Sequence, residues 1–295
     1  MVYEQIAHNR RLSIVICILF AAVVLLLGWV LGEVWGFPWI GLAIALGISL
    51  GSVYAAYYNS DQIVLRMSHA RPLQKAEHPH LFHTVEGLAI AAGIPKPRCY
   101  VIGDSAPNAF ATGRDPEHGV VCVTTGLLDK MNRLELEGVV AHELSHIKNY
   151  DTRLQCLVVV LVGTTVLLSD WILRSMFYGR GRRRSRSGGG QAMAVLLVAG
   201  LVLALLAPLV AQLLRLAVSR RREYLADASA ALMTRYPDGL ADALEKLAAD
   251  TEPLEAANKA TAHLYIVSPL KSGLGSRLFS THPPIEERVR RLRAM

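Results

Sequence analysis

The sequence contains little cysteine. Only four cysteines occur among its 295 residues, and no two of them form a C-x-x-C pair. Cys17 and Cys156 lie inside apolar runs, where a free cysteine is typical of a small core residue. This shortage argues against a disulfide framework and against a cysteine-ligated metal.

The sequence also lacks a basic patch interleaved with aromatic residues. The formal net charge of +7 points to either a nucleic acid or a membrane surface. The basic residues cluster at the ends of apolar runs, whereas RNA- and DNA-binding patches combine them with aromatic side chains. We therefore expect the lipid bilayer as a partner and no nucleic acid.

Charge is missing from four apolar runs, which cover residues 12–32, 34–58, 154–169 and 191–214. The first two are long enough to form a retained membrane hairpin. The third is short for a membrane span, and the fourth is long enough. Because the middle of each run carries no charge, a transporter or a channel is disfavoured.

Basic residues flank the first hairpin on both sides. Arg10 and Arg11 precede it, and Arg66, Arg71 and Lys75 follow it, so the positive-inside rule places both ends in the cytoplasm. The loop between the third and fourth runs is rich in arginine and glycine. If both runs cross, this loop lies outside, against the rule. Either the loop is translocated despite its charge, or the second pair does not fully cross.

Between the hairpins the chain predicts a small mixed domain. Residues 77–93 have helical spacing, and residues 97–102 and 118–124 are rich in β-forming side chains. Residues 108–113 predict an edge strand that can hold an extended peptide by main-chain pairing, although an ordinary half-buried strand fits the spacing equally well. The candidate substrate-binding residues are Asn108, Ala109, Phe110, Ala111 and Thr112.

The following helix carries an H-E-x-x-H pentad at residues 142–146. Asn132 is a candidate N-cap, and the apolar residues before the pentad indicate a helix packed against a core. Residues four apart share a helix face, so His142 and His146 can bind one ion. Glu143 lies beside that ion, where its carboxylate can accept a proton from an attacking water. The alternative is a polar helix with two solvated histidines.

Glu223 and Asp227 follow the fourth apolar run and are also four residues apart. A catalytic zinc site with two histidines needs a third protein ligand, which a helical Glu223 supplies. Asp227 can accept the free ring N–H of a ligating histidine. Taken alone, the pair fits a solvated helix face equally well. Residues 240–247 and 283–293 predict two further helices, the second one basic.

These motifs, in this order, resemble the HtpX-like membrane zinc endopeptidases and, more distantly, the CAAX prenyl endopeptidases. The resemblance covers nearly the whole chain and includes the pentad, residues 222–227 and the Thr-His-Pro-Pro motif at 281–284. It implies an α+β, mainly helical fold: a gluzincin-type metalloprotease domain with four hydrophobic helices, transmembrane or membrane-embedded, in two hairpins. It also implies one Zn²⁺ per chain on His142, His146 and Glu223, with Glu143 as general base.

A His-Pro motif with an arginine six residues after the histidine lies by the active site in these relatives. His282 and Arg288 match that spacing, so both are candidates for stabilising the oxyanion. Alternatively, His282 occupies the open zinc position in a resting form, or it is a loop residue before a Pro-started helix.

The resemblance implies hydrolysis of internal peptide bonds in damaged or misfolded membrane proteins, as part of quality control and the stress response. We expect membrane proteins or unfolded polypeptides as substrates, with other membrane quality-control proteases as candidate partners. The resemblance also implies a multi-pass protein of a bacterial or archaeal plasma or inner membrane, with its catalytic domain in the cytoplasm. Two other hypotheses are a narrow processing protease for prenylated C-termini and a non-catalytic adaptor with a structural zinc site.

The predicted organisation has four parts. Residues 1–58 form a transmembrane hairpin, and residues 59–153 form the first part of the catalytic domain, with the strands and the pentad helix. Residues 154–214 form the second hydrophobic hairpin with its arginine- and glycine-rich loop. Residues 215–295 complete the catalytic domain with Glu223 and the C-terminal helices.

Overall fold

The structure is a computed structural model that describes residues 2–178, 206–207, 210, 213, 219–257, 260–269 and 283–295. This part of the chain is mainly helical with one small sheet. The helices are α1 Val2–Trp35, α2 Pro38–Tyr58, α3 Ser60–Met67, α4 Pro79–Ala92, α5 Thr125–Lys130, α6 Arg133–Lys148, α7 Asp151–Tyr178, α8 Arg220–Thr234, α9 Pro237–Ala249 and α10 Ile285–Leu292. The strands are β1 Arg71–Pro72, β2 Arg98–Ile102, β3 Ala109–Thr112 and β4 Val120–Thr124.

Three helices in the described ranges are long and apolar enough to cross a membrane. The candidate spans are Ile6–Glu33, Pro38–Tyr58 and Asp151–Trp171. The helix of the third span extends from residue 151 to 178, so it is longer than the apolar run alone predicts. Most of the predicted fourth run and the whole arginine- and glycine-rich loop lie outside the described residues. The second membrane hairpin therefore stays a prediction.

Helices α1 and α2 pack at very close range because glycines lie at their crossing. A Cβ added to Gly41 would lie 2.2 Å from the carbonyl oxygen of Gly28. A Cβ on Gly28 would lie 2.3 Å from that of Ala45. Small residues at such positions let two membrane helices approach until their backbones touch. The first hairpin is therefore a tightly packed unit.

The sheet has the strand order β1-β2-β4-β3. Strands β2 and β4 are parallel, whereas β1 and β3 pair antiparallel at the two edges. Alternate residues of β4 enter two different clusters of buried side chains: Val121 and Val123 face one, and Val120 and Cys122 face the other. Both faces of the sheet are therefore buried, and α6 packs against β3 and β4.

Helix α6 begins with a capping box. The side chain of Asn132 accepts from the amides of Leu134 and Glu135, and the Glu135 carboxylate accepts from the amide of Asn132. Gly138 allows close contact with α9, because a Cβ there would lie 2.6 Å from the amide nitrogen of Leu240. The helix is buried on all sides from residue 138 to residue 147, so the pentad lies within the protein.

A sharp turn joins α6 to α7. Tyr150 adopts a left-handed backbone conformation with φ of 59°, and α7 starts at the next residue, Asp151. The helix that carries the pentad therefore continues almost directly into a candidate membrane span.

Candidate active site

Two helices bring the three candidate metal-ligand side chains together. His142 and His146 come from α6 and Glu223 from α8, and all three are buried. The two Nε2 atoms are 3.2 Å apart, and the Glu223 carboxylate oxygens lie 3.8 Å from Nε2 of His142 and 3.6 Å from Nε2 of His146. A tetrahedral zinc with bonds of about 2.0–2.1 Å holds its ligand atoms about 3.3 Å apart.

The opposite ring nitrogen of each histidine contacts a carboxylate. Nδ1 of His142 is 3.0 Å from Oδ1 of Asp227, and Nδ1 of His146 is 3.0 Å from Oδ2 of Asp151. A carboxylate at Nδ1 fixes the tautomer in which Nε2 carries the lone pair. Two such nitrogens 3.2 Å apart repel unless a proton or a metal cation lies between them. The donor set therefore fits a zinc ion.

Burial and neighbouring charges shift the pKa values at this cluster. Burial lowers the pKa of His142 to about 4, helped by the Arg288 charge and opposed by the bond to Asp227. Burial also acts to lower the pKa of His146, but the bond to Asp151 and the charge of Glu223 outweigh it and raise the pKa to about 9. The surroundings of His146 thus favour positive charge, which a divalent cation supplies.

Glu143 lies on α6 beside the candidate metal ligands. The backbone of Ala111 in β3 lies close enough to its carboxylate to act against the rise of its pKa. Burial raises the pKa of Glu143 to about 7, against the His146 charge and with the help of Glu223. A carboxylate with a pKa near neutrality suits a group that must both accept and return a proton.

Arg288 is fully buried in α10 (0% exposed). Its guanidinium donates to both oxygens of Asp227, over 2.9 Å from Nε and 2.7 Å from a terminal nitrogen. The other terminal nitrogen donates to the carbonyl oxygen of Ile266 over 3.3 Å and lies 3.7 Å from Glu223. Arg288 thus lies against the carboxylate that holds His142. The other C-terminal candidate, His282, lies outside the described residues.

The predicted substrate strand lies at a sheet edge, but part of that edge is paired. The carbonyl oxygen of Ala109 accepts from the amide of Ile266 over 3.0 Å. The side chain of Asn108 donates to the carbonyl oxygen of Val267 over 3.0 Å. Phe110 packs against Tyr265 with ring centroids 5.1 Å apart. The chain's own residues 265–267 therefore cover the start of the strand, and its end, Ala111 and Thr112, lies nearer Glu143.

Asp151 and Asn9 are site residues that sequence reasoning missed. Asp151 follows the pentad by five residues and lies in the first turn of α7, so an acidic residue just beyond the ligand helix was a usable signal. Asn9 donates to Asp151 over 2.7 Å. Because the two residues are 142 positions apart, spacing along the sequence gives no sign of this contact.

Comparisons with known proteins place similar sequences among the proteases. The model of peptidase family M48 matches residues 75–295. A protease HtpX homolog of Dictyoglomus thermophilum is 51% identical over 293 residues, which cover 99% of this chain and 94% of that protein. One of Thermoanaerobacter pseudethanolicus is 46% identical over 299 residues, which cover 99% and 97%.

The fold is also similar to a solved structure. The crystal structure of S. mikatae Ste24p superposes with a TM-score of 0.52 at 20% identity. The match covers 91% of this chain and 62% of that one. The predicted relationship to the HtpX-like proteases is thereby confirmed: the chain belongs to peptidase family M48 and is a membrane metalloprotease.

Proposed function

We propose that the protein is an integral-membrane zinc endopeptidase that cleaves internal bonds of damaged or misfolded membrane proteins, in quality control under stress. One observation carries this proposal. Asp151, which holds His146, is also the first residue of a candidate membrane span. A metal centre at that position lies where a membrane-protein substrate leaves the bilayer.

The proposed site has one zinc ion per chain, held by His142, His146 and Glu223. A zinc ion supplies Lewis acidity, which polarises the scissile carbonyl and lowers the pKa of water. Asp227 and Asp151 hold the two imidazoles in the ligating tautomer.

Proton transfer falls to Glu143. Its carboxylate accepts a proton from the attacking water and returns a proton to the leaving amine. The substrate extends past Ala111 and Thr112, where the closeness of Ala111 to Glu143 puts the base next to the strand. Arg288 acts by fixing Asp227, and His282 stays a candidate for contacting the oxyanion or the open metal position.

The remaining features of the proposal concern the membrane. Arginines flank the first hairpin on both ends, so we place the catalytic part in the cytoplasm by the positive-inside rule. A second hairpin, with four hydrophobic helices in total, completes the anchor. The curated relatives are bacterial proteins, which supports a bacterial plasma or inner membrane.

Substitution of the proposed base tests the mechanism. Glu143→Gln should keep zinc at wild-type content and lower cleavage of an unfolded membrane protein by about 10²–10⁴-fold. Glu137→Gln, the same change six residues earlier on α6, should cleave like the wild type. Zinc content and cleavage are measured on the same preparations, purified with a chelator to limit self-cleavage and then reloaded with zinc.

Each other outcome identifies a different error. Equal cleavage by Glu143→Gln with zinc bound means that the base is wrongly assigned. A wild-type protein that binds zinc and cleaves nothing supports the adaptor hypothesis. A prenylated peptide offered beside the misfolded membrane protein separates narrow processing from quality control.

A further inference from the structure

A buried polar contact joins the first membrane helix to the candidate metal centre. Asn9 lies near the start of α1 and is 1% exposed. Its amide nitrogen lies 2.7 Å from Oδ1 of Asp151 and 3.0 Å from the carbonyl oxygen of Asn149, and donates to both. Asn149 is the C-cap residue that follows the pentad helix, and Asp151 starts α7. The asparagine therefore binds the turn that follows the ligand His146.

Asp151 uses its two oxygens in two directions. Oδ1 accepts from Asn9, whereas Oδ2 contacts Nδ1 of His146. Because the two oxygens belong to one planar carboxylate, a bond that holds Oδ1 also sets the direction of Oδ2. Asp151 is fully buried, so protein groups rather than bulk water set its orientation.

The acceptor side of the same amide contacts the other ligand helix. Oδ1 of Asn9 accepts from Arg222 over 3.4 Å. Arg222 is adjacent in sequence to Glu223, and its Nε lies 3.8 Å from the Asp151 carboxylate. An amide presents a donor to Asp151 and an acceptor to Arg222 at the same time. Neither leucine nor alanine offers either group.

We propose that Asn9 is a positioning residue of the metal centre: it orients the Asp151 carboxylate, and through it the His146 imidazole, from within the first membrane helix. This inference rests on the proposed zinc site. Groups that orient a ligating histidine contribute about 10–100-fold to metal affinity. Asn9 acts one contact further away, so we expect its loss to weaken zinc affinity by about 10-fold. Asp151→Asn should weaken zinc affinity by about 10–100-fold.

The test measures zinc affinity of the full-length protein in detergent, in the Glu143→Gln background. Asn9→Leu keeps the branched shape of the side chain and removes both polar groups. Asn9→Ala, which is smaller, is the second variant in case the leucine prevents folding. Ser13→Ala is the matched control. Ser13 is one turn further along α1, is equally buried, and donates to the carbonyl of Asn9 within the helix.

Zinc dissociation constants come from competition with a chelator, and the absorption spectrum of the Co²⁺-loaded protein reports ligand geometry. We expect weaker zinc binding and an altered cobalt spectrum for the Asn9 variants, and wild-type values for Ser13→Ala. In the double variant Asn9→Leu/Asp151→Asn, zinc should bind no more weakly than in Asp151→Asn alone. A shared pathway predicts this non-additivity.

Three results overturn the inference while the zinc site stands. They are wild-type zinc affinity in folded Asn9 variants, wild-type affinity in Asp151→Asn, and fully additive losses in the double variant. An Asn9 variant with a lower melting temperature but an unchanged zinc dissociation constant also overturns the inference, because it shows that Asn9 has only a structural role. Absence of zinc binding by the parent protein overturns the proposed function itself, together with this inference.

Discussion

Removal of the Arg288 guanidinium should strongly destabilise the protein. Arg288→Met keeps much of the volume but removes two charge-assisted bonds to Asp227, of 2.7 and 2.9 Å. Such bonds contribute about 1.5–3 kcal/mol each. Removing one partner of a buried ion pair costs about 3–5 kcal/mol. The value from the two bonds and the value from the ion pair agree, so we expect a loss of about 3–5 kcal/mol in the free energy of unfolding.

At about 2–4 °C for each kcal/mol, this loss lowers the melting temperature by about 6–20 °C. Arg290→Met is the control on the same helix: its side chain is 76% exposed and pairs with Glu287 at the surface. Exposed pairs contribute at most about 1 kcal/mol, so it should melt within about 4 °C of the parent.

The assay is circular dichroism in detergent with zinc present, in the Glu143→Gln background. Tryptophan fluorescence suits this purpose poorly, because every tryptophan lies in one of the three apolar helices α1, α2 and α7: Trp29, Trp35, Trp39 and Trp171. If Arg288→Met melts together with Arg290→Met, the guanidinium does not hold Asp227, and the described ion pair is refuted.

Three further perturbations follow from the structure. Gly41→Leu should destabilise the first hairpin by at least about 1–3 kcal/mol, because the new Cβ would meet the carbonyl oxygen of Gly28. Gly47→Leu should not, because no atom lies within 4 Å of a Cβ added there. Tryptophan fluorescence during detergent denaturation measures both variants. Asn132→Ala removes the α6 cap and should lower the free energy of unfolding by about 1 kcal/mol, measured by chemical denaturation. Asn59→Ala should lower it less, because the Asn59 side chain makes no cap bond at the start of α3. Free zinc at 1,000 times its dissociation constant should add about 4 kcal/mol to the free energy of unfolding. Its removal should therefore lower the melting temperature.

Local patterns predicted the elements that carry the site. The capping signal at Asn132 and the apolar spacing after it place a helix where α6 lies. The spacing of Glu223 and Asp227 predicts one helix face, and both residues lie on α8 near His142. These signals are local, because a helix turn relates residues three or four apart. The roles of these residues remain predictions.

Contacts between distant segments could not be predicted in this way. Periodicity indicates which face of an element is buried, but it does not indicate what covers that face. The pairing of Ile266 with Ala109 joins the two parts of the catalytic domain, which the third and fourth apolar runs separate in the sequence. The strand Arg71–Pro72 has two residues, too few for an alternating pattern. Both arise from tertiary packing, which sequence spacing does not encode.

The length of α1 bears on where the membrane anchor ends. Its 34 residues extend about 51 Å at 1.5 Å per residue, against about 30 Å of hydrocarbon. Helix α2, with 21 residues, is close to the thickness of that layer. Because the two helices are packed together at the Gly28–Gly41 crossing, the surplus of α1 emerges at its N-terminal end, where Asn9 lies. The border between anchor and enzyme thus lies within one continuous helix, towards its N-terminal end. A fragment that begins after residue 58 keeps all three candidate metal ligands and loses a side chain that holds one of them in place.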